Sequence, residues 1–371
     1  MSTPPRVALV SIGVGRIQRG FERYFSDLFG ILRERLPITL YKGGGGSAPG
    51  ERIATGLRAW TTFTRRLPLK QVAAEYREYR HDCLAYAMAM LPDLLRNRFD
   101  VVHVIDPPLI YYLQRLRMLT RFRPRLLFTN GCHMPPQYYP RAHVHHVAEV
   151  LFREALASGV SPDRITLVPC GFHPGRFAAP EDRDALRRRH GIAAGTYVIL
   201  DVSAVKRSHK RVHHLIEEVA RLPGDVLLWL DGKPEDPEIP ELAGRLLGPR
   251  CRVTFVPSGQ VPELYAVADV FAHAALEESF GLGLVEAAST GLPTVAHDAP
   301  HFAWLLGGRD NLVDMTRAGA LAAKLAAIRS SPAHARADAA NTAEAIRARF
   351  DWRNLAAAYE ALYDRVALAD R

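Results

Sequence analysis

The amino-acid sequence predicts an α/β protein built from two doubly wound, parallel-sheet domains that face each other across a cleft. Its 371 residues suffice for two domains of ordinary size, and its hydrophobic content of 48% is typical of a globular chain. Strand-like and helical segments alternate from the N-terminus, which favours parallel sheets. The alternation is interrupted by a polar segment after Phe177 and then starts again, so two domains are expected.

The first domain is predicted over residues 1–177. Apolar runs indicate strands, and apolar residues at helical spacing indicate the helices between them. The predicted strands are RVALVSIG, ITLYK, VVHVI, RLLFTNG and ITLVPCG. Helices are predicted around Phe21 to Leu32, at 71–97, near Leu109 to Leu119 and near 143–158.

The second domain is predicted over residues 178–353, after the helical linker AAPEDRDALRRRHGIAAG. Its strands are YVILDVSA, DVLLWLDG, RVTFV, DVFAHAA and PTVAHD, and its helices begin near Val212, Pro240, Pro262 and Gly283. The last helix, 354–371, has a spare apolar stripe and is predicted to pack back towards the first domain. Ligands of doubly wound sheets bind at the carboxyl ends of the strands, so the site is expected there.

Composition limits the class of protein. The N-terminus lacks a basic region followed by an apolar segment, and no run of about 18 apolar residues occurs, so a cytoplasmic protein is expected. The four cysteines lack C-x-x-C spacing, which predicts reduced thiols and no structural metal.

Charge is shared unevenly between the two halves. Residues 1–177 hold 25 Lys and Arg against 13 Asp and Glu, a net +12, whereas the remainder holds 23 against 26, a net −3. The basic half suggests an anionic partner, either an acidic acceptor or the inner face of a membrane, with nucleic acid not expected. The run YYLQRLRMLTRFRPR fits a peripheral membrane surface, and solvent-facing arginine is the alternative.

Two carboxylates flank a predicted strand-to-helix turn in EESFGLGLVE. Glu278 falls on the turn and Glu286 about one helical turn further on. The backbone N–H groups of Phe280, Gly281 and Leu282 lie at a helix N-terminus, which favours an anion such as phosphate. A ligand with hydroxyl groups on both sides of a diphosphate is a nucleotide sugar.

A basic loop is predicted at the same sheet edge. The stretch SAVKRSHKR places Lys206, Arg207 and Lys210 after the first strand of the second domain. These cations are positioned to meet the same diphosphate. A solvated basic loop is the alternative interpretation.

The run EESFGLGLVE followed by EAASTGLPTVA resembles the E-x7-E signature of retaining glycosyltransferases of family 4, which have the GT-B fold of two Rossmann-like domains. Further segments are similar to that family: GFERYFSDL, VPCGFHPGRF, ELYAVADVF and FDWRNLAAAYEALY. Together they span almost the whole chain. The resemblance implies transfer of a sugar from a nucleoside diphosphate sugar, most simply a UDP- or GDP-sugar, to a hydroxyl acceptor such as a saccharide, a glycolipid or a small metabolite.

The resemblance also implies residue roles. Glu278 would contact sugar hydroxyls, Glu286 the ribose, and Lys210 with Lys206 or Arg207 the diphosphate. The segment from Gly15 to Gly20 would approach the donor phosphates from the first domain.

The sequence departs from the family pattern at several positions. Val205 stands where the family's usual Arg-x4-Lys spacing would place the arginine. Asn130 stands where many members have histidine, so Asn130 or His133 becomes the catalytic candidate beside Glu278 and Lys210. In APHFAW, Asp298 and His301 are further candidates for ligand contacts.

The implied chemistry uses same-face attack, in which a leaving phosphate oxygen takes the acceptor proton, and needs no cofactor or metal. The one D-x-D triplet, Asp182 to Asp184, lies in the linker helix.

Three alternatives remain. A GT-B epimerase or phosphorylase-like enzyme would act on related substrates, and a noncatalytic protein would only bind the nucleotide sugar. The third alternative is a nicotinamide-dependent enzyme. SIGVGRIQ begins like a nicotinamide-binding turn but has Gln18 in place of the third glycine.

Overall fold

The structure is a computed structural model that describes residues 3–17, 19–54, 57–67, 74–120, 123–131, 134, 139–178 and 182–368, with the backbone alone at 74–77. The chain divides into two compact units. Unit 1 comprises Met1–Gly171 and Trp352–Arg371, and unit 2 comprises Phe172–Asp351. Each unit has its own parallel sheet, so the predicted pair of doubly wound α/β domains is confirmed.

Unit 1 contains a parallel sheet in the order β3-β2-β1-β4-β5-β6-β7 within the described residues. Its strands are β1 (Val7–Ser11), β2 (Ile38–Lys42), β3 (Glu51–Ile53), β4 (Val101–Val104), β5 (Arg125–Asn130), β6 (His143–His146) and β7 (Ile165–Leu167). The helices are α1 (Gly20–Leu32), α2 (Leu57–Thr64), α3 (Ala74–Asn97), α4 (Pro107–Leu119) and α5 (Glu149–Ala157), with the C-terminal helix α14 (Trp352–Leu368). The central strands are buried on both faces, as the continuous apolar runs predict.

The prediction of one helix near 143–158 was wrong in its first part. Residues His143–His146 form β6, which pairs with β5 and β7, and α5 begins only at Glu149. The HVHH sequence has too few apolar residues to indicate a strand. The polar side chain of His145 can be buried in this strand because it is hydrogen-bonded. His145 contacts Thr129 Oγ1 at 2.8 Å and the carbonyl of Val168 at 2.7 Å.

Unit 2 contains a parallel sheet in the order β10-β9-β8-β11-β12-β13. Its strands are β8 (Tyr197–Val202), β9 (Val226–Asp231), β10 (Cys251–Thr254), β11 (Val270–Ala272), β12 (Thr294–His297) and β13 (Leu312–Val313). The helices are α6 (Arg183–Arg189), α7 (Val212–Ala220), α8 (Glu238–Leu246), α9 (Val261–Val267), α10 (Leu282–Ser289), α11 (Pro300–Leu306), α12 (Ala320–Ser330) and α13 (Pro332–Phe350). The strand order reverses between β8 and β11, and this is the point at which doubly wound sheets bind ligands.

The division between the units falls at Gly171, six residues before the expected boundary at Phe177. The segment after Gly171 packs on unit 2, because the Phe177 ring meets Phe172 at 6.2 Å and Tyr265 at 5.8 Å between centroids. Asp182, from the D-x-D triplet, caps α6 by accepting a hydrogen bond from the Ala185 amide at 3.2 Å.

The C-terminal helix α14 packs on unit 1 through aromatic rings. Trp352 stacks on Tyr24 at 5.9 Å and also contacts Tyr359 at 5.5 Å between centroids. A Cβ on Gly171 would lie 2.3 Å from the Trp352 ring, so this position has room for glycine alone. Among the described residues, no helix combines the length and the apolar character needed to cross a lipid bilayer.

Candidate nucleotide-sugar site

The predicted residues of the second domain lie beside the point in unit 2 where the strand order reverses. Lys210 lies in the turn between β8 and α7, and Glu278 lies between β11 and α10. Because β8 and β11 are neighbouring parallel strands, both turns leave the same edge of the sheet. The structure therefore brings together the basic and acidic loops that the sequence places there.

The turn into α10 depends on two glycines. Gly281 has φ +97°, a left-handed conformation that L side chains rarely adopt, and it is the N-cap of the helix. A Cβ on Gly283 would lie 2.8 Å from the carbonyl oxygen of Val202, so α10 starts directly over the end of β8. The first N–H groups of a helix lack intrahelical partners, and here they lie at the sheet edge that carries Lys210. This arrangement suits an anion.

Lys210 and Glu278 form an ion pair at this edge. The Lys210 ammonium donates to Oε1 of Glu278. The Glu278 side chain is only 7% exposed and that of Lys210 18% exposed. The site thus holds a cation and an ionised carboxylate in contact, with a small part of the cation open to solvent.

Two further residues complete this network, and the sequence analysis did not single them out. His273, just after β11, lies with Nε2 2.8 Å from Glu278 Oε1 and Nδ1 2.8 Å from Asp201 Oδ1. Asp201, on β8, also accepts a hydrogen bond from the Ser203 hydroxyl at 2.6 Å. The result is a continuous chain Asp201–His273–Glu278–Lys210, termed here the charge relay.

Charge interactions inside the relay outweigh burial. Burial alone would lower the pKa of His273, but the charges of Asp201 and Glu278 and their hydrogen bonds raise it to about 9. Burial alone would raise the pKa of Glu278, but the hydrogen bond from His273 and the charge of Lys210 hold it well below its usual range. Glu278 is therefore ionised and His273 protonated at neutral pH.

The other two predicted cations are directed towards acidic residues that follow β9. Lys206 Nζ lies 3.1 Å from Glu235 Oε2, and an Arg207 guanidinium nitrogen lies 3.7 Å from Glu238 Oε2. The Arg207 amide also donates to Asp236 at 3.3 Å. Lys210 is thus the predicted cation that contacts Glu278.

Glu286 lies inside α10, and its side chain is buried at 2% exposure. Its Oε2 accepts a hydrogen bond from the Tyr265 hydroxyl at 3.0 Å. The neighbouring Phe280 ring is buried against Trp304 and Phe350, and the Phe280 carbonyl contacts His301 Nε2 at 3.0 Å. The side chain of Phe280 is thus structural, and only its backbone lies at the turn.

Asp298 does not take part in the relay. Its carboxylate pairs with Arg309 in an exposed contact.

The predicted residues of the first domain lie in unit 1. Gly15 has φ +78°, and a Cβ there would lie 2.1 Å from the carbonyl oxygen of Gly44, so the turn after β1 packs tightly against the turn after β2. Gly20 begins α1. Asn130 ends β5 and is buried, with Nδ2 3.1 Å from the Tyr139 hydroxyl. His133 lies outside the described residues.

Known proteins resemble this chain over part of its sequence and over its whole fold. Residues 182–346, which lie in unit 2, match the family model described as glycosyl transferases group 1. The lipopolysaccharide glucosyltransferase WaaG of Escherichia coli K12 is 34% identical over 143 residues, which are 36% of this chain and 37% of WaaG. The chain thus matches about a third of the length of this curated relative.

Two solved structures resemble the whole chain. Sucrose-phosphate synthase from Thermosynechococcus elongatus superposes with a TM-score of 0.80 at 19% identity, covering 99% of this chain and 100% of that one. HepE of Anabaena, solved with UDP-glucose, gives a TM-score of 0.74 at 18% identity, covering 97% and 100%. At these identities the likeness shows the fold alone, that of GT-B glycosyltransferases.

Proposed function

We propose that this protein is a retaining glycosyltransferase of family 4 that transfers a sugar from a nucleoside diphosphate sugar to a hydroxyl acceptor. The observation that carries the proposal is the Lys210–Glu278 pair beside the N-terminus of α10. A cation and free backbone N–H groups suit a diphosphate, and an adjacent ionised carboxylate suits sugar hydroxyls.

The difficult step in such a transfer is departure of the nucleoside diphosphate, because negative charge grows on the leaving phosphate. Lys210 and the helix N-terminus would stabilise that charge as it develops. Glu278 would accept hydrogen bonds from the sugar, and Glu286 from the ribose. Lys206 or Arg207 would contact the outer phosphate oxygens after leaving their acidic partners.

Retention and metal independence belong to the same proposal. The family resemblance implies attack on the face from which the diphosphate leaves, with a phosphate oxygen taking the acceptor proton. Charge on the diphosphate would be met by Lys210 and backbone N–H groups instead of a divalent ion. For the donor we favour a UDP- or GDP-sugar, and HepE, whose fold this chain shares, was solved with UDP-glucose.

The proposal is tested by incubating the protein with UDP- and GDP-sugars and a panel of glycoside acceptors, with release of the nucleoside diphosphate as the signal. Acceptor-dependent release and an anomeric configuration retained in the product are expected. Glu278→Gln should abolish transfer, whereas Glu277→Gln, the same change at the exposed neighbouring residue, should not. Release that does not depend on any acceptor, or an inverted product, would contradict the proposal.

We also propose that unit 1 rests on an anionic membrane surface in the cytoplasm, where it would meet its acceptor. Four arginines, Arg117, Arg123, Arg125 and Arg141, line a pocket of about 470 Å³ together with Met118. Burial, and then the charges of the other three arginines, lower the pKa of Arg117, which indicates a concentration of like charge.

Apolar side chains accompany this basic group. Met118 is 57% exposed and Leu119 80% exposed at the end of α4. Exposed apolar side chains beside clustered arginines are typical of proteins that bind anionic lipid peripherally.

A further inference from the structure

The two ring nitrogens of His273 determine its protonation state. Each lies 2.8 Å from a carboxylate oxygen, Nδ1 from Asp201 and Nε2 from Glu278. A neutral imidazole has only one N–H, so one carboxylate would face a nitrogen lone pair at hydrogen-bond distance. With both carboxylates ionised, both nitrogens donate, and His273 is an imidazolium ion.

The charge relay is then electrically neutral. Two carboxylates, Asp201 and Glu278, are matched by two cations, His273 and Lys210, and the first three of these side chains are at most 7% exposed. A buried carboxylate left without a cation is strongly destabilised, and it usually responds by taking up a proton. The number of cations beside Glu278 therefore governs its ionisation.

The proposed function requires one of those cations to move. In the structure Lys210 donates to Glu278, yet in the donor complex it must reach the diphosphate. If Lys210 were the sole cation beside Glu278, its departure would leave a buried carboxylate without a cation, and that carboxylate would take up a proton. A protonated Glu278 would be a poorer acceptor for sugar hydroxyls.

We propose that His273 is a positioning residue whose fixed positive charge keeps Glu278 ionised and oriented when Lys210 turns from Glu278 to the diphosphate of the donor. Asp201 on β8 holds the ring in place through Nδ1 and itself accepts a hydrogen bond from the Ser203 hydroxyl. His273 touches neither sugar nor phosphate in this scheme, and its effect passes through Glu278.

Other charged groups facing the relay do not replace His273. His209 Nε2 lies 3.8 Å from Glu278 Oε2 and 2.9 Å from the carbonyl of Glu277. Burial lowers the pKa of His209, the charge of Glu278 raises it and that of Lys210 lowers it again; the net shift is downward, which favours neutral His209 near pH 7. Phe271, which stacks on the His273 ring at 6.4 Å, carries no charge.

The inference rests on the proposed function, because it needs Lys210 to bind a diphosphate. It is tested by measuring the protons taken up when a nucleotide binds. Binding of UDP and of GDP is measured by titration calorimetry at pH 7 in two buffers of different ionisation enthalpy, which gives the protons taken up on binding. The proteins are the native chain, His273→Gln, and His334→Gln as a control, because His334 is 80% exposed in α13. Folding of each variant is checked by circular dichroism.

The native chain and His334→Gln should exchange the same number of protons on binding. His273→Gln should take up a measurable fraction of a proton more, up to one, because Glu278 becomes protonated when Lys210 leaves it. Equal proton exchange in all three proteins would overturn the role of His273. If neither nucleotide binds the native chain, the proposed function itself fails, which is a separate outcome.

A second variant provides the same test if His273→Gln does not fold. Asp201→Asn removes one of the two carboxylates that keep His273 protonated while the imidazole keeps its place. It should also take up more protons than the native chain on nucleotide binding. Ser203→Ala, which removes only the hydroxyl that contacts Asp201, should exchange protons almost as the native chain does.

Discussion

Protonated His273 predicts a specific dependence of stability on pH. Its pKa rises from an unfolded value near 6.5 to about 9 in the folded protein. A raised pKa contributes stability that is complete below the unfolded value and is lost as pH rises through the folded value. At 1.36 kcal/mol for each pKa unit, the shift corresponds to roughly 3 kcal/mol of unfolding free energy. This contribution is lost mainly between about pH 7 and 9.5. For a unit of this size this amounts to about 6 to 12 °C in melting temperature.

The assay compares melting curves of the native chain and His273→Gln at half-unit steps from pH 7 to pH 9.5. Subtraction cancels groups that titrate in both proteins. The native chain should melt well above the variant at pH 7, and the gap should narrow steadily as pH rises, because native His273 loses its proton. A gap that stays constant across this range would refute the assignment of a charged His273.

The remaining predictions concern ligands. Glu286→Ala should weaken donor binding by about 1.5 to 3 kcal/mol, the cost of losing hydrogen bonds to ribose, and unchanged affinity in calorimetry would remove that role. Turnover should survive excess EDTA, and loss that magnesium or manganese restores would overturn metal independence. Binding to anionic vesicles should weaken with salt and in the double variant Arg117→Glu, Arg141→Glu, but not in Arg188→Glu on unit 2. Equal partitioning of the native chain to neutral vesicles would contradict a membrane surface.

The approach of Lys210 to Glu278 could be foreseen from sequence, because parallel-sheet logic fixes which turns share an edge. Apolar runs located β8 and β11, and the residues that follow each strand had to leave the same side of the sheet. The partner of each side chain could not be foreseen in the same way. Lys206 and Arg207 differ from Lys210 because acidic residues after β9 lie beside them, and that contact depends on the path of the turn.

His273 and Asp201 were missed for a physical reason. Both lie inside predicted strands, YVILDVSA and DVFAHAA, where a single polar residue does not by itself indicate a functional site. Their importance comes from strand register, since β11 pairs with β8 so that Val270 meets Ile199 and His273 comes beside Asp201. A single sequence does not reveal the register in which its strands pair. Strand β6 was missed because its burial depends on histidine hydrogen bonds, which a search for apolar runs does not detect.

The central claim is that Lys210 acts on the diphosphate and Glu278 on the sugar. It is tested by measuring the affinity of Lys210→Ala and Glu278→Ala for the intact donor and for the bare nucleoside diphosphate, beside turnover and with Glu277→Ala as control. Lys210→Ala should lower turnover by a few orders of magnitude and donor affinity by much less, because the charge that it meets grows during the reaction. Glu278→Ala should weaken binding of the donor and spare the bare diphosphate. If Glu278→Ala weakens both ligands equally, Glu278 does not bind the sugar, and the proposed division of roles is contradicted.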